Sequence, residues 1–122
     1  NVLIAAEIAE MAPTDARKRA SHLLSRLGIA DRANHRPARM SLGEQQRAAV
    51  ARAVVHRPPL VLADEPTASL DSRNAGLVLD LLTGLCAESG SLLILATHDE
   101  AIKERFRRTG RVVSLRRPEA AS

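Results

Sequence analysis

The chain has 122 residues, the length of one ordinary domain, and it is 45% hydrophobic and 26% charged, as is typical of a soluble globular protein. Its one cysteine, Cys86, excludes an internal disulfide and favours a reducing compartment, and the apolar run Val2–Ala6 is far short of the ~20 residues that a membrane span needs. The net charge of +4 fits either an anionic partner or arginines that only face solvent.

The first part of the chain has the pattern of two helices followed by a basic loop. Residues 1–11 indicate a short helix or turn. Apolar residues at helical spacing over residues 15–27 predict a second helix, which Thr14 would cap and Gly28 would end. Residues 29–39 are polar and basic, which predicts a loop.

The clearest start of a helix is the tetrapeptide Ser41-Leu42-Gly43-Glu44. It has the spacing of a capping box, in which the Ser41 side chain accepts from the Glu44 amide and the Glu44 side chain accepts from the Ser41 amide. The predicted helix continues to about His56, where two prolines follow closely.

Apolar runs in the second half predict strands. Residues 60–63 and 91–96 are apolar runs of the length and composition of buried parallel strands, and residues 111–115 predict a last short strand. Because helical patterns alternate with these runs, the order predicts an α/β protein with a parallel sheet covered by helices.

Two helices are predicted between and after these strands. Asp71 would cap a helix that reaches about Ala87, and residues 99–107 predict a shorter one. The first of the two would bury one face, made of Leu77, Val78, Leu81, Leu82 and Leu85.

Polar residues follow each of the two main strands. Asp64 and Glu65 come after the first, and Thr97, His98 and Asp99 come after the second. Ligands of open parallel sheets bind beyond the carboxyl ends of the strands, so both clusters would face one crevice. Carboxylates there suit Mg²⁺ or the activation of a water, and a histidine suits contact with a phosphate. Each cluster alone is a weak signal, because many strands end in acidic residues.

The capping tetrapeptide is a third candidate site. The amides at a helix N-terminus, the positive end of the helix dipole and the Ser41 hydroxyl together suit an anion. The same residues, taken alone, are also simply a good helix cap.

The order of these clusters along the chain is a more specific signal than any one of them alone. The sequence contains MSLGEQQR at Met40–Arg47, LVLADEPT at Leu60–Thr67, ASLD at Ala68–Asp71 and ATHD at Ala96–Asp99. In this order they resemble the signature motif, Walker B strand, D-loop and switch histidine of the ATP-binding-cassette (ABC) family. The resemblance covers essentially the whole chain. It implies an α/β partial P-loop NTPase fold, with parallel strands flanked by helices and part of the helical subdomain that carries the signature motif.

The resemblance also implies a division of the chain. Residues 1–57 would be the part of the helical subdomain with the signature motif and its following helix, and residues 58–122 the C-terminal part of the catalytic α/β core. The phosphate-loop motif G-x-x-x-x-G-K-[ST] does not occur in the sequence, which begins at Asn1 rather than Met. We therefore expect the phosphate-loop segment to lie upstream of Asn1, and we expect residues 1–122 alone to be inactive.

Family roles transfer to the strand-end residues as follows. Asp64 would bind Mg²⁺, directly or through water. Glu65 would be the general base for the attacking water, and His98 would contact the γ-phosphate of ATP.

Other residues would act across the interface of a dimer. Asp71 and its D-loop neighbours would cross the interface, while the γ-phosphate of ATP on the partner subunit would be bound by Ser41, Leu42, Gly43 and Glu44. Leu42 departs from the family pattern, which usually has a glycine at that position, and its side chain could narrow the phosphate site. Glu44 replaces the usual glutamine, and this change improves the capping box.

The function implied by the resemblance is that of an ATP-binding and ATP-hydrolysing subunit of an ABC transporter, which uses ATP and Mg²⁺ to drive transport across a membrane. Its partners would be a second ATPase subunit in a head-to-tail dimer and a transmembrane permease, with no direct nucleic acid. The protein would lie in the cytoplasm, on the inner face of the cell membrane. The sequence of Leu62–Thr67 looks most like that of the exporter branch, which includes the lipoprotein-release and macrolide ATPases. The choice of transported substrate would belong to the membrane subunits.

The sequence does not exclude two other functions. A nucleic-acid-associated cassette ATPase would agree with the basic charge, but such proteins stack bases on aromatic side chains, and Phe106 is the only aromatic residue here. A non-catalytic fragment would agree with the absence of the phosphate loop.

Overall fold

The computed structural model describes residues 1–108, and the strand predicted at 111–115 lies outside them. Helices precede the first strand, and the two strands are joined through a long helix. Along the described chain the elements are α1 (Val2–Ile8), α2 (Pro13–Arg26), α3 (Leu42–Val54), β1 (Leu60–Asp64), α4 (Ser72–Ser89), β2 (Leu92–Ala96) and α5 (Glu100–Arg108). The basic loop between α2 and α3 contains two short 3-10 turns, Ala30–Arg32 and Pro37–Arg39.

The two strands form a parallel pair with α4 as the crossover. Their register runs from Leu60 opposite Leu92 to Asp64 opposite Ala96. The predicted α/β class and the parallel arrangement are confirmed. The carboxyl ends of both strands lie at the same edge, which brings the residues after each strand together.

The prediction that both strands are buried is wrong for one face of the sheet. Val61 is 4% exposed and packs in the core, whereas its neighbour Leu62 is 70% exposed. Leu60, Leu92 and Ile94 are also exposed. Successive side chains of a strand point to opposite faces, and the helices of the described chain pack against only one of them.

The core lies where the helices meet the sheet. It includes the fully buried Ala6 of α1, Leu23 of α2, and Val54 at the end of α3. Val78 and Leu82 of α4 complete it beside the strand pair. Side chains of this kind stabilise a fold by about 1.5–3 kcal/mol each when fully buried.

Two predicted features of the helices are corrected. Pro13, not Thr14, begins α2, and its N-cap is Ala12 without a side-chain hydrogen bond. The fixed φ of proline suits the first helical position, so the helix starts at Pro13, two residues before the start at Asp15 that Thr14 would have capped. Leu77 is 47% exposed, because α4 turns Leu79 and Cys86 inward instead.

The other predicted helix ends are confirmed. Ser41 and Glu44 form the capping box of α3, and Asp71 caps α4. Gly28 follows α2 with a φ of +65°, in the left-handed region that glycine adopts without strain. None of the helices in the described part of the chain is long and apolar enough to cross a membrane.

Candidate functional site

Glu65 lies at the carboxyl end of β1 in an unusual backbone conformation. Its N–H donates to the carbonyl of Ala96 at 2.9 Å, which extends the parallel ladder by one bond beyond the strand. Its φ is +45°, and a non-glycine residue in this region costs about 1 kcal/mol. Strained residues of this kind occur preferentially at functional sites.

The Glu65 carboxylate accepts hydrogen bonds from the residues that follow β2. One oxygen, Oε1, lies 2.6 Å from Nδ1 of His98 and 2.8 Å from the backbone nitrogen of His98. The other, Oε2, accepts from the hydroxyl of Thr97 at 3.2 Å. The side-chain hydrogen bond from His98, with help from the other donors, lowers the pKa of Glu65. The carboxylate is therefore ionised at neutral pH.

The segment that carries His98 is fixed on both sides. The Thr97 hydroxyl accepts from the Asp99 amide at 3.1 Å, and the Asp99 carboxylate accepts from the amides of Ala101 and Ile102 at 2.9 and 3.3 Å. Asp99 thus holds the first turn of α5, while the His98 side chain is 83% exposed. The Nδ1 of His98 is engaged by Glu65, which leaves Nε2 for an incoming ligand.

Asp64 is the last residue of β1 and is exposed. It lies on the same face of the strand as the exposed Leu62, opposite Ala96 in the register. Within residues 1–108 no group of three or more His, Cys, Asp or Glu side chains could hold a metal ion. A single carboxylate of this kind suits Mg²⁺ bound mainly by water and substrate phosphates, which is how proteins commonly hold that ion.

The capping tetrapeptide forms the N-terminal turn of α3. The Ser41 hydroxyl accepts from the Glu44 amide at 3.3 Å, and Oε2 of Glu44 accepts from the Ser41 amide at 2.7 Å. In the described chain, the amides of Leu42 and Gly43 donate no hydrogen bond. These two donors and the positive end of the helix dipole form a site that suits an anion.

Asp71 forms a similar turn at the start of α4. Its Oδ1 accepts from the amides of Arg73 and Asn74 at 3.1 and 3.0 Å, and its Oδ2 accepts from the Asn74 side chain at 2.6 Å. The hydrogen bond from the backbone amide of Asn74 is the main cause of the lowered pKa of Asp71. The side-chain oxygen of Asn74 lies 3.8 Å from the position that a Cβ on Gly43 would occupy. The Asn74 side chain of the Asp71 turn therefore lies close to the turn of α3.

The chain matches the family model described as "ABC transporter" over residues 2–68. This match covers more than half of the chain. The chain belongs to the ABC transporter family. The predicted family resemblance is therefore confirmed.

Curated relatives agree with this assignment. The lipoprotein-releasing system ATP-binding protein LolD of Legionella pneumophila (strain Paris) is 44% identical over 108 residues, which are 88% of this chain and 48% of that protein. The LolD protein of Novosphingobium aromaticivorans is 46% identical over 112 residues, or 92% of this chain and 50% of that protein. The chain spans about half the length of the curated relatives it matches.

Solved structures of ABC cassettes share the fold. The dimeric post-hydrolysis state of the cassette MJ0796, bound to ADP and Pi, is 41% identical with a TM-score of 0.62, and the match covers 75% of this chain and 40% of that one. The dimeric structure of MJ0796 described as a bacterial ABC transporter cassette is 40% identical with a TM-score of 0.64, covering 77% and 41%.

The predicted site residues of this ABC chain fall into two groups. Glu65 and His98 are in direct contact beyond the sheet, with Asp64 next to them in sequence. The second group is the pair of turns that begin α3 and α4. Within residues 1–108 no hydrogen bond joins one group to the other. Two cavities of the described chain, of about 290 and 360 Å³, are lined by other residues.

Two residues near these groups have no role in the prediction from sequence. The sequence places Thr97 only in the strand-end cluster, although its hydroxyl donates to Glu65. The second residue is Asn74. Its position three residues after Asp71 is the spacing of a capping interaction, so the local sequence does contain a signal for it.

Proposed function

We propose that this chain is the ATP-hydrolysing part of an ABC transporter, which couples ATP hydrolysis to transport across a membrane. The observation that supports this most is the Glu65 carboxylate, held by His98 and Thr97 at the carboxyl end of a parallel strand pair. The names of the relatives point the same way, since LolD is an ATP-binding protein of a lipoprotein-releasing system and one MJ0796 structure holds ADP and Pi. We assign this chain to the same exporter branch.

In this proposal Glu65 is the general base. Its lowered pKa keeps it ionised, so it can accept a proton from the attacking water at neutral pH. All three hydrogen-bond donors at its oxygens belong to Thr97 and His98, and they leave carboxylate lone pairs that can face a water. His98 would donate to the γ-phosphate from Nε2 while its Nδ1 donates to Glu65, an arrangement in which both ring nitrogens carry a proton.

Asp64 is the residue proposed to hold Mg²⁺. It is exposed at the sheet edge, it is adjacent in sequence to the proposed base, and it offers the oxygen ligand that this ion prefers. When bound, the ion offsets the negative charge that develops on the phosphates.

The turn of α3 would act on a second copy of the cassette. The turn formed by Ser41, Leu42, Gly43 and Glu44 would bind the γ-phosphate of ATP held by the partner subunit through its backbone amides, and Asp71 would lie at the dimer interface. Both MJ0796 neighbours are dimeric, which supports such a shared site. In this scheme residues 1–57 belong to the helical subdomain and residues 58–122 to the catalytic core.

The remaining partner would be a transmembrane permease. It would hold the ATPase dimer at the inner face of the cell membrane and would select the transported substrate. The LolD relatives support this by their names, which assign them to a lipoprotein-releasing system.

The proposal is tested by Glu65→Gln in a complete ABC cassette that carries residues 1–122. The variant keeps the shape of the side chain but removes the base, so kcat for Mg-ATP hydrolysis should fall by about 10²–10⁴ while ATP still binds. Glu7→Gln, on the exposed side of α1, is the matched control and should hydrolyse ATP at the wild-type rate. A Glu65→Gln cassette with wild-type kcat would rule out Glu65 as the base.

A further inference from the structure

Arg32 is connected to the turn of α3 through Glu44. Its Nε donates to Oε1 of Glu44 at 3.0 Å, and its Nη1 lies 2.7 Å from a carboxylate oxygen of Asp31. The second oxygen of Glu44, Oε2, accepts from the Ser41 amide at 2.7 Å. A continuous chain of hydrogen bonds thus runs from the basic loop to the first residue of the anion-binding turn.

Glu44 creates an electrostatic conflict at this turn. Its pKa is lowered, chiefly by the hydrogen bond from the Ser41 backbone, so it is ionised at neutral pH. A carboxylate at a helix N-terminus offsets the positive end of the dipole, which would otherwise favour an anion. It also repels a second anion that approaches the free amides of Leu42 and Gly43.

We propose that Arg32 is a positioning residue that neutralises Glu44 and holds it on the Ser41 amide, so that the turn of α3 can accept a phosphate group. This inference rests on the proposed function, in which that turn binds the γ-phosphate of the partner's ATP. Arg32 does not touch the phosphate itself. It acts through the charge and the orientation of Glu44.

The burial of the pair supports this role. The Glu44 side chain is 19% exposed and that of Arg32 is 36% exposed, so the pair is screened less than an ion pair in open solvent. Arg32 is shared with Asp31, whose side chain is 67% exposed. The better-shielded of its two acidic partners is therefore Glu44.

The basic loop has a second attachment that does not involve Arg32. The side-chain amide of Gln45 donates to the carbonyls of Pro37 and Met40 at 3.0 and 3.1 Å. Loss of the Arg32 guanidinium should therefore leave the loop attached to α3. This separates the electrostatic role of Arg32 from a role in packing.

A double-mutant cycle in a complete cassette that carries this chain tests the inference. Arg32→Ala should raise KM for ATP about tenfold, the effect of one charged hydrogen bond, with a smaller change in kcat. In a Glu44→Gln background no charge remains to neutralise, so adding Arg32→Ala should change KM less than about twofold relative to Glu44→Gln alone. Arg36→Ala removes the same charge from an exposed position of the same loop and should leave KM unchanged.

The outcomes separate this inference from the proposed function. An equal effect of Arg32→Ala on KM in the wild-type and Glu44→Gln backgrounds would mean that Arg32 acts through packing. No effect of Arg32→Ala on KM in the wild-type background would equally overturn the inference.

If the complete cassette shows no ATPase activity, the proposed function fails. The inference is then decided on the chain itself, by titrating inorganic phosphate and following the NMR signals of the Leu42 and Gly43 amides. Arg32→Ala should weaken that binding with Glu44 present and not with Glu44→Gln, and equal binding with and without Arg32 would refute it.

Discussion

At the scale of single residues, Glu65 combines backbone strain with a dense set of hydrogen bonds. Its φ of +45° is unfavourable for a side chain with a Cβ, yet that conformation lets both carboxylate oxygens reach donors after β2. The hydrogen bonds compensate for the strain only while the carboxylate is ionised, because a protonated oxygen accepts less well. The geometry of the proposed base therefore depends on its charge.

The stability of the chain should depend on pH for the same reason. Hydrogen bonds lower the folded-state pKa values of Glu65 and Glu44 from the ordinary 4.5, and that of Asp71 from 3.8. A lowered folded-state pKa contributes stability that is present above the ordinary value and is lost as the pH falls through the folded-state value. The urea midpoint should therefore be constant near neutral pH and fall below about pH 4.5.

Glu44→Gln provides the comparison for this pH dependence. It removes one of the ionising groups, so the fall of the urea midpoint on acidification should be smaller than in the wild type. A midpoint that rises on acidification, or a fall of the same size in both proteins, would contradict the assignment of these hydrogen bonds to the ionised forms.

Some contacts between residues of the site can be predicted from the sequence, and others cannot. Ser41 and Glu44 are three positions apart, so their reciprocal bonds follow from local spacing. Glu65 and Thr97 are 32 positions apart, and their contact exists only because β1 and β2 pair in one particular register. The sequence predicted that the two clusters share an edge, but which oxygen meets which donor is fixed by tertiary structure.

At the scale of elements, α4 shows where periodicity is ambiguous. Its residues from Leu77 to Cys86 are mostly apolar, so several faces have the spacing of a buried stripe. The structure buries Val78, Leu79, Leu82, Leu85 and Cys86 and leaves Leu77 exposed. Packing against α3 and β2 selects the face, and this choice depends on contacts that a local pattern does not contain.

Two glycines, one inside α4 and one at its C-terminal end, allow a prediction with opposite signs for the same substitution. Gly90 ends the helix with φ of +69°, and its amide and that of Ser91 donate back to Ala87 and Cys86. Gly90→Ala should lower the free energy of unfolding by about 1 kcal/mol, because a Cβ is unfavourable at this φ. Gly84 lies inside the helix with no atom within 4 Å of an added Cβ, so Gly84→Ala should raise it by roughly 0.5–1 kcal/mol.

Urea titration of the two variants and the wild type measures both changes. Neither glycine has a neighbour within 4 Å of an added Cβ, so steric clashes do not contribute and the backbone conformation alone separates the two sites. If both variants shifted the midpoint in the same direction, the left-handed end of α4 would not have the energetic role assigned to it.

At the scale of the whole molecule, the strand pair has one face that the helices of residues 1–108 cover and one face that they leave open. The helices pack on the side of Val61, while Leu60, Leu62, Leu92 and Ile94 form an apolar surface on the other side. The sequence predicted the parallel pairing correctly because apolar runs joined by a helix favour it. An apolar run alone does not show whether one layer or two will cover it, so which face stays exposed follows from the packing of the helices.

This open face should make the 122-residue chain self-associate. Contiguous exposed apolar side chains favour association, because contact between two copies removes them from water.

Leu62 is 70% exposed on this face, so Leu62→Lys should reduce association without loss of core packing. Leu77→Lys is the matched control, since Leu77 is 47% exposed and lies on α4 rather than on a strand. Sedimentation velocity over a range of concentrations should show larger species in the wild type and in Leu77→Lys, and mainly monomer in Leu62→Lys. A wild-type chain that stays monomeric at high concentration, or equal association in both variants, would mean that this face does not drive contact between copies.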